Sequence, residues 1–283
     1  MKQPIRHFLP SLFVAAMLFA PTLAQASPPA LRSADTAERG ELFHANLRSG
    51  WRMKGGSHMA ALHLTLKPEW KTYWRAPGDA GIPPQFDWSG SVNVKSVTFH
   101  WPSPKLFHSN GMRSVGYSGD VVLPIEVVPQ DPRLPVHLQA RVDLGICKDI
   151  CVPASLSLAA DLPNGGREDN AIRAALRSSP ATAKGAGLRR ISCAVAPIKD
   201  GLRITAQIEL PPQGREEMVV FEPKLAGVWV SDAKVSRQGD LLVAEADMVP
   251  PSSQPFSLDR SGLLVTVISD SGHAVEIRGC PAP

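Results

Sequence analysis

Residues 136–162 read VHLQARVDLGICKDICVPASLSLAADL. The run opens on a valine-bearing strand candidate, Val136–Leu144, and closes on an alternating segment, Ala154–Leu162. Between them stand Cys147 and Cys151, separated by Lys148, Asp149 and Ile150. Three intervening residues give a hairpin turn, and the turn holds the two sulfurs close. The run therefore predicts two strands joined by a tight turn with a cysteine at each edge of it.

Outward from this hairpin the same grammar recurs. Upstream, Met59–Leu66 alternates, with Leu62, Leu64 and Leu66 on one face, and Val94–Trp101 and Val121–Val128 are further strand candidates. Pro124 interrupts the last of these and predicts an edge or a bulge there. Two stretches read as irregular: the Pro/Gly-rich loop from Trp70 to Trp88, and Pro102 to Gly119. Downstream, Leu202, Ile204, Ala206 and Ile208 alternate, and Met218–Phe221, Leu241–Ala246, Leu263–Ile268 and Ala274–Ile277 add strands at the turn spacing of a β-sandwich. Between the blocks, Glu168–Arg177 has helical spacing, with Ile172, Ala175 and Leu176 on one face and Ser178-Ser179-Pro180 to end it.

Composition agrees with many short strands. The 283 residues include 27 prolines, nearly twice the usual share of about 5%. An interior proline removes a helix hydrogen bond and clashes with the preceding turn, so this density excludes long helices. The fold expected is all-β: two β-sandwich domains joined by a short helical linker. The division expected is a signal peptide over 1–26, a first domain over 27–162, a linker over 163–187 and a second domain over 188–283.

The first 26 residues read as a secretory signal, with Lys2 and Arg6, an apolar stretch from Phe8 to Ala20, and Ala24-Gln25-Ala26 as the cleavage site. Removing it takes two positive charges and no acid, so the formal net charge falls from +4 to +2. No Lys/Arg cluster with interleaved aromatics is present, which argues against nucleic acid as a partner. The chain is expected to be exported and soluble, in an oxidising compartment where disulfides persist.

The four cysteines divide into unlike pairs. Cys193 opens the second block and Cys280 closes it. Paired, they would tie its first strand to its last and stabilise it by about 4–5 kcal/mol. A bridge between Cys147 and Cys151 would close so short a loop that it constrains little chain. Bridges of that kind are the strained, exchanging ones. Lys148 favours a thiolate there and Asp149 opposes it. Three readings stand for this pair: redox exchange, an inert clip, or soft-metal binding through two thiolates. The last would need a further ligand, for which His100, His108 and Met112 are candidates. No H-E-x-x-H, G-x-S-x-G or P-loop occurs, and the pair is C-x-x-x-C, not C-x-x-C.

Trp70-Lys71-Thr72-Tyr73-Trp74-Arg75, Pro77-Gly78-Asp79-Ala80-Gly81, Pro83-Pro84, Asp87-Trp88, Trp101-Pro102, Gly116-Tyr117, Leu123-Pro124-Ile125 and the Cys147–Pro153 segment together resemble the periplasmic N-terminal region of DsbD-type thiol:disulfide interchange proteins, in particular its ScsB-like branch. Glu222, Val228-Trp229-Val230 and Val275–Cys280 extend the resemblance into the second block. It implies immunoglobulin-like sandwiches and a redox pair on a hairpin, with a shorter cysteine spacing than in the better-known DsbD domain. It implies a periplasmic exchange protein that takes electrons from a thioredoxin-like domain or protein and passes them to a periplasmic disulfide isomerase or oxidoreductase. No cofactor and no metal belong to that reading. Cys151 would form the mixed disulfide and Cys147 would resolve it. Phe107 or Tyr117, in a cap loop over about 107–117, would shield the pair, and the tryptophan-rich loops would form the docking surface. Family members continue into a membrane domain and a thioredoxin domain, whereas this chain ends at Pro283, so the expectation is either that a separate membrane electron carrier supplies the electrons or that this is a stand-alone domain with an altered role. The alternative is a copper-handling or scaffold module in which Cys147 and Cys151 are metal ligands or a structural clip.

Overall fold

The computed structural model describes residues 42–79, 81–109 and 111–283. The expected signal peptide lies outside the described residues. The chain forms two immunoglobulin-like β-sandwich domains. In the first, one sheet has the spatial order β1 (Phe43–Arg52), β2 (His58–Leu66), β8 (Asp120–Pro129), β5 (Val94–Phe99). The other runs β10 (Cys151–Leu162), β9 (Val136–Cys147), β3 (Lys71–Tyr73), β7 (Met112–Ser118), β6 (Lys105–Ser109), with β4 (Gln85–Asp87) also paired to β9. Alternation closes the core between the sheets. Leu62, Leu64 and Leu66 of β2 and Ile125 and Val127 of β8 face Leu138, Ala140, Val142 and Ile146 of β9, all buried.

Pro124 lies within β8, a central strand, opposite Ala61 of β2, and not at an edge. Its carbonyl accepts from His100 N at 3.0 Å, one residue past the end of β5. The N–H that proline lacks would point the same way, where the ladder has already stopped. The two stretches read as irregular also hold strands. β3 and β4 flank the Pro/Gly loop and pair with successive parts of β9, and β6 and β7 form a hairpin within 102–119. A Cβ at Gly116 would lie 2.1 Å from the carbonyl oxygen of Thr72, so only glycine lets β7 cross β3 this closely.

The helix α1 (Asn170–Arg177) is capped by Asp169, whose Oδ1 accepts from Ala171 N at 2.8 Å and Ile172 N at 3.3 Å. It does not float between the domains. Ile172 packs on Met59 and Ala61, the residues of β2 that face away from the main core, with Trp51, Met53, Val122 and Leu176 around them. The second sandwich pairs a sheet of β11 (Ala181–Thr182), β19 (Ala274–Arg278), β18 (Leu264–Ser269) and β14 (Glu217–Glu222) with one of β12 (Arg190–Ile198), β13 (Gly201–Glu209), β17 (Leu241–Val249) and β15 (Trp229–Val230), with β16 (Lys234–Gln238) also on β17. Among the described residues, no helix is long and apolar enough to cross a membrane.

Candidate functional site

Cys147 is the last residue of β9 and Cys151 the first of β10, and the two are direct cross-strand partners. They are joined as a disulfide. The turn between them is closed by Lys148 N donating to Ile150 O at 3.0 Å. Val142, Leu144 and Ile146 point into the core, so strand alternation turns Gly145 and Cys147 to the outer face of the sheet. The two sulfurs have different surroundings. Cys147 is 1% exposed, whereas Cys151 stands in solvent. The Lys148 ammonium donates to Glu69 at 2.8 Å, and that bond, with the Glu69 charge, raises its pKa. Its charge is thereby answered away from the sulfurs.

β3 supplies what lies against the pair. Lys71 is the cross-strand partner of Cys147, and Thr72 that of Ile146. Tyr73 follows on the same outer face as Lys71. Its hydroxyl is 3.4 Å from Cys151 Sγ. Burial pushes the Tyr73 pKa up, so the hydroxyl stays protonated near neutral pH and donates to the sulfur. Thr72 Oγ1 donates to Gly145 O at 3.0 Å and fixes β3 against β9. Lys71 is 8% exposed. Its ammonium donates to Ser109 Oγ at 3.0 Å and sits 5.2 Å from the centroid of the Phe107 ring.

The two aromatic residues expected to cap the pair part company here. Phe107, on β6, comes over Lys71 and so stands one residue removed from Cys147. Tyr117 does not reach the pair. It is the partner of Thr72, so its side chain enters the core on the opposite face of the sheet. Its ring stacks on Trp101 at 6.5 Å and its hydroxyl donates to Pro102 O at 2.8 Å. Burial raises its pKa well above the ordinary value.

Trp74, Trp88 and Trp101 turn to packing within the domain and not to a docking surface. Trp74 is fully buried, and Trp88 and Trp101 join Phe86 and Phe99 in one run of ring contacts. The exposed apolar side chains near the pair are Ile150, 70% exposed on the turn, and Ile82, 48% exposed. The Ile82 Cβ lies 3.5 Å from where a Gly145 side chain would begin. Sequence reading missed Lys71, Tyr73, Ile82 and Ile150 as site residues. A signal was present for two: Lys71-Thr72-Tyr73 is a strand-permissive triplet set just before a Pro/Gly loop.

Cys193, on β12, is disulfide-bonded to Cys280, just past β19, so the bond spans the two sheets of the second domain. Both are buried. His100 is bonded to Glu126 and His108 to Glu216. Among the described residues, no group of three or more His, Cys, Asp or Glu side chains is placed to hold a metal.

No curated protein matches this chain. Among solved structures it is similar to the crystal structure of the N-terminal periplasmic domain of ScsB from Proteus mirabilis. The TM-score is 0.62 at 23% identity, over 85% of this chain and 92% of that one; that likeness is one of fold. Residues 44–163 match the family described as Thiol:disulfide interchange protein DsbD, N-terminal. The family match thus falls on the first sandwich, which carries the disulfide at the β9–β10 turn, and it supports a module of thiol:disulfide interchange there.

Proposed function

We propose that the chain is a periplasmic thiol–disulfide exchange protein that relays electrons from a thioredoxin-like or membrane donor to periplasmic oxidoreductases through Cys147 and Cys151. The observation that carries this reading is the asymmetry of the pair: an exposed Cys151 bonded to a buried Cys147. A partner thiolate reaches only Cys151. Its attack on Cys151 Sγ forms a mixed disulfide and breaks the internal bond, whose electron pair leaves on Cys147 Sγ. The donor's second thiol then releases Cys151, and both cysteines are reduced. In the onward step Cys151 attacks the acceptor's disulfide, and Cys147 attacks Cys151 Sγ to re-form the internal bond and expel the acceptor as a dithiol. Tyr73 lends its hydroxyl proton to Cys151 through a hydrogen bond. Ile82 and Ile150 give the partner an apolar rim.

The remaining assignments follow from this one. The exchange domain is 27–162, Phe107 belongs to its cap, 163–187 is the linker and 188–283 the second domain, held by Cys193–Cys280 as a structural bond. Periplasmic location is supported by the signal-like first 26 residues and by the periplasmic origin of the similar ScsB domain. The test is trapping. With a thioredoxin-like donor presented in its disulfide form, Cys151 of Cys147→Ala should attack that disulfide and accumulate a mixed disulfide that no Cys147 thiol can resolve, and Cys151→Ala should form none. If Cys147→Ala captures no donor and the donor's dithiol form does not reduce the wild-type disulfide, the exchange reading falls.

A further inference from the structure

Lys71 is an anomaly on chemical grounds. Taking an ammonium out of water is costly unless it is paired, and a threonine or valine would serve a short strand without that cost. Among the described residues no carboxylate forms an ion pair with Lys71; its partners are the Ser109 hydroxyl and the Phe107 ring. Glu69, on the same side of the hairpin, is taken by Lys148. Burial accordingly lowers the Lys71 pKa. On the other side of the strand pair stands Cys147, its direct partner in register, with the two Cβ atoms of such a pair about 5 Å apart.

We infer that Lys71 is the counter-charge of the Cys147 thiolate, a charge absent while the disulfide is closed and created when it opens. This rests on the exchange reading. When a partner thiolate bonds to Cys151 Sγ, the electron pair of the broken bond appears as a full negative charge on a sulfur that is 1% exposed. Water does not solvate it there. The Lys71 ammonium neutralises it without transferring a proton, so the thiolate is retained for its later attack on Cys151 Sγ. The amine that Ser109 and Phe107 hold in the oxidised form thus has its ionic partner only in the reduced one. Lys71 positions and stabilises the resolving sulfur; it does not itself react.

The other groups that face the pair do not supply this charge. On the turn, Lys148 is tied to Glu69 and Asp149 is exposed. On β3, Tyr73 stays neutral near pH 7. On the β6–β7 hairpin, His108 is bonded to Glu216 and Arg113 to Asp232, both in the second domain. On β9 and β10 the neighbours on this face are Gly145 and Pro153.

The test is the ionisation of Cys147 in the reduced full chain, followed by its ¹³Cβ resonance against pH in protein labelled at cysteine. It needs no partner, so its failure is separate from a failure of exchange. Lys71→Met should raise the Cys147 pKa by about 1 unit, a roughly tenfold loss of thiolate below that pKa. Lys71→Arg should restore it, because the charge is restored. Lys71→Gln is the second neutral variant should Lys71→Met not fold. A Cys147 pKa unmoved by the neutral variants would overturn the inference, as would a Lys71→Arg protein that behaves like Lys71→Met.

Discussion

A side chain at position 145 would crowd the site: a Cβ there would lie 3.3 Å from Cε2 and 3.4 Å from Cδ2 of Tyr73. The missing side chain on β9 lets the Tyr73 ring come close to the hairpin, where its hydroxyl is 3.4 Å from Cys151 Sγ. A glycine in a strand costs stability, and here it marks the close approach of a ring to the Cys147–Cys151 bond. Tyr73→Phe keeps that ring and removes one hydrogen bond worth about 0.5–1.4 kcal/mol. Exchange at Cys151 should therefore slow by about two- to tenfold, while the thermal midpoint stays within a few degrees. Stopped-flow reduction by a thioredoxin-like donor, read beside a melting curve, decides it. An unchanged rate would remove Tyr73 from the chemistry.

At the scale of elements, α1 shows how a linker becomes part of a domain. Asp169 caps it and also binds Arg48 of β1, with Arg48 Nη2 at 2.7 Å. Burial works to raise the Asp169 pKa, but the Arg48 hydrogen bond and charge and the two cap amides outweigh it, and the carboxyl lies below its ordinary value. The sign follows. Asp169 stabilises the fold fully above the unfolded Asp pKa of about 3.9 and loses that contribution as pH falls through the lower folded value. Asp169→Ala should cost about 1–2 kcal/mol at pH 7, and the gap from wild type should close in acid; urea unfolding at pH 7 and pH 3 measures both. The helix itself was legible, since EDNAIRAALR carries its cap and its face in sequence. β8, β9 and β13 were legible too, because each buries alternate residues against a core along most of its length, and β2 and β18 were legible as longer apolar runs. β3, β6 and β7 were not. β3 has three residues, all buried, and β7 buries Ser114 through Tyr117 in a row, so neither shows a period. The same elements carry Lys71, Tyr73 and Phe107. The cysteines of the site could therefore be read from the sequence, and the residues around them could not.

In the whole molecule, the segments that flank the disulfide are also the ones that grip the second domain. Arg75, two residues after Tyr73, donates to Glu222 at 2.8 and 3.0 Å and to Glu276 at 2.7 Å, with its guanidinium 4.2 Å over the Trp74 ring. Arg113 and His108, on the β6–β7 hairpin, bind Asp232 and Glu216. Met218, Ile268 and Ala274 of the second domain are buried in the core cluster of the first. An interface with shared apolar contacts and half-buried charge pairs should make the two sandwiches unfold together. Arg75 is its most connected charge, with two carboxylates from two strands of the second domain converging on it. Arg75→Met keeps much of the stem that packs on Trp74 but leaves Glu222 and Glu276 facing each other, with their shared cation gone. Because these side chains retain 20–31% exposure, solvent screens part of the repulsion, and the cost should be about 1–3 kcal/mol. Differential scanning calorimetry of the full chain should show the single wild-type transition separating into two. The first domain should melt earlier, and the second should hold its midpoint because Cys193–Cys280 closes it independently. A variant that keeps one transition at the wild-type midpoint would mean that the apolar contacts alone couple the domains and that Arg75 serves only to orient the loop behind Tyr73.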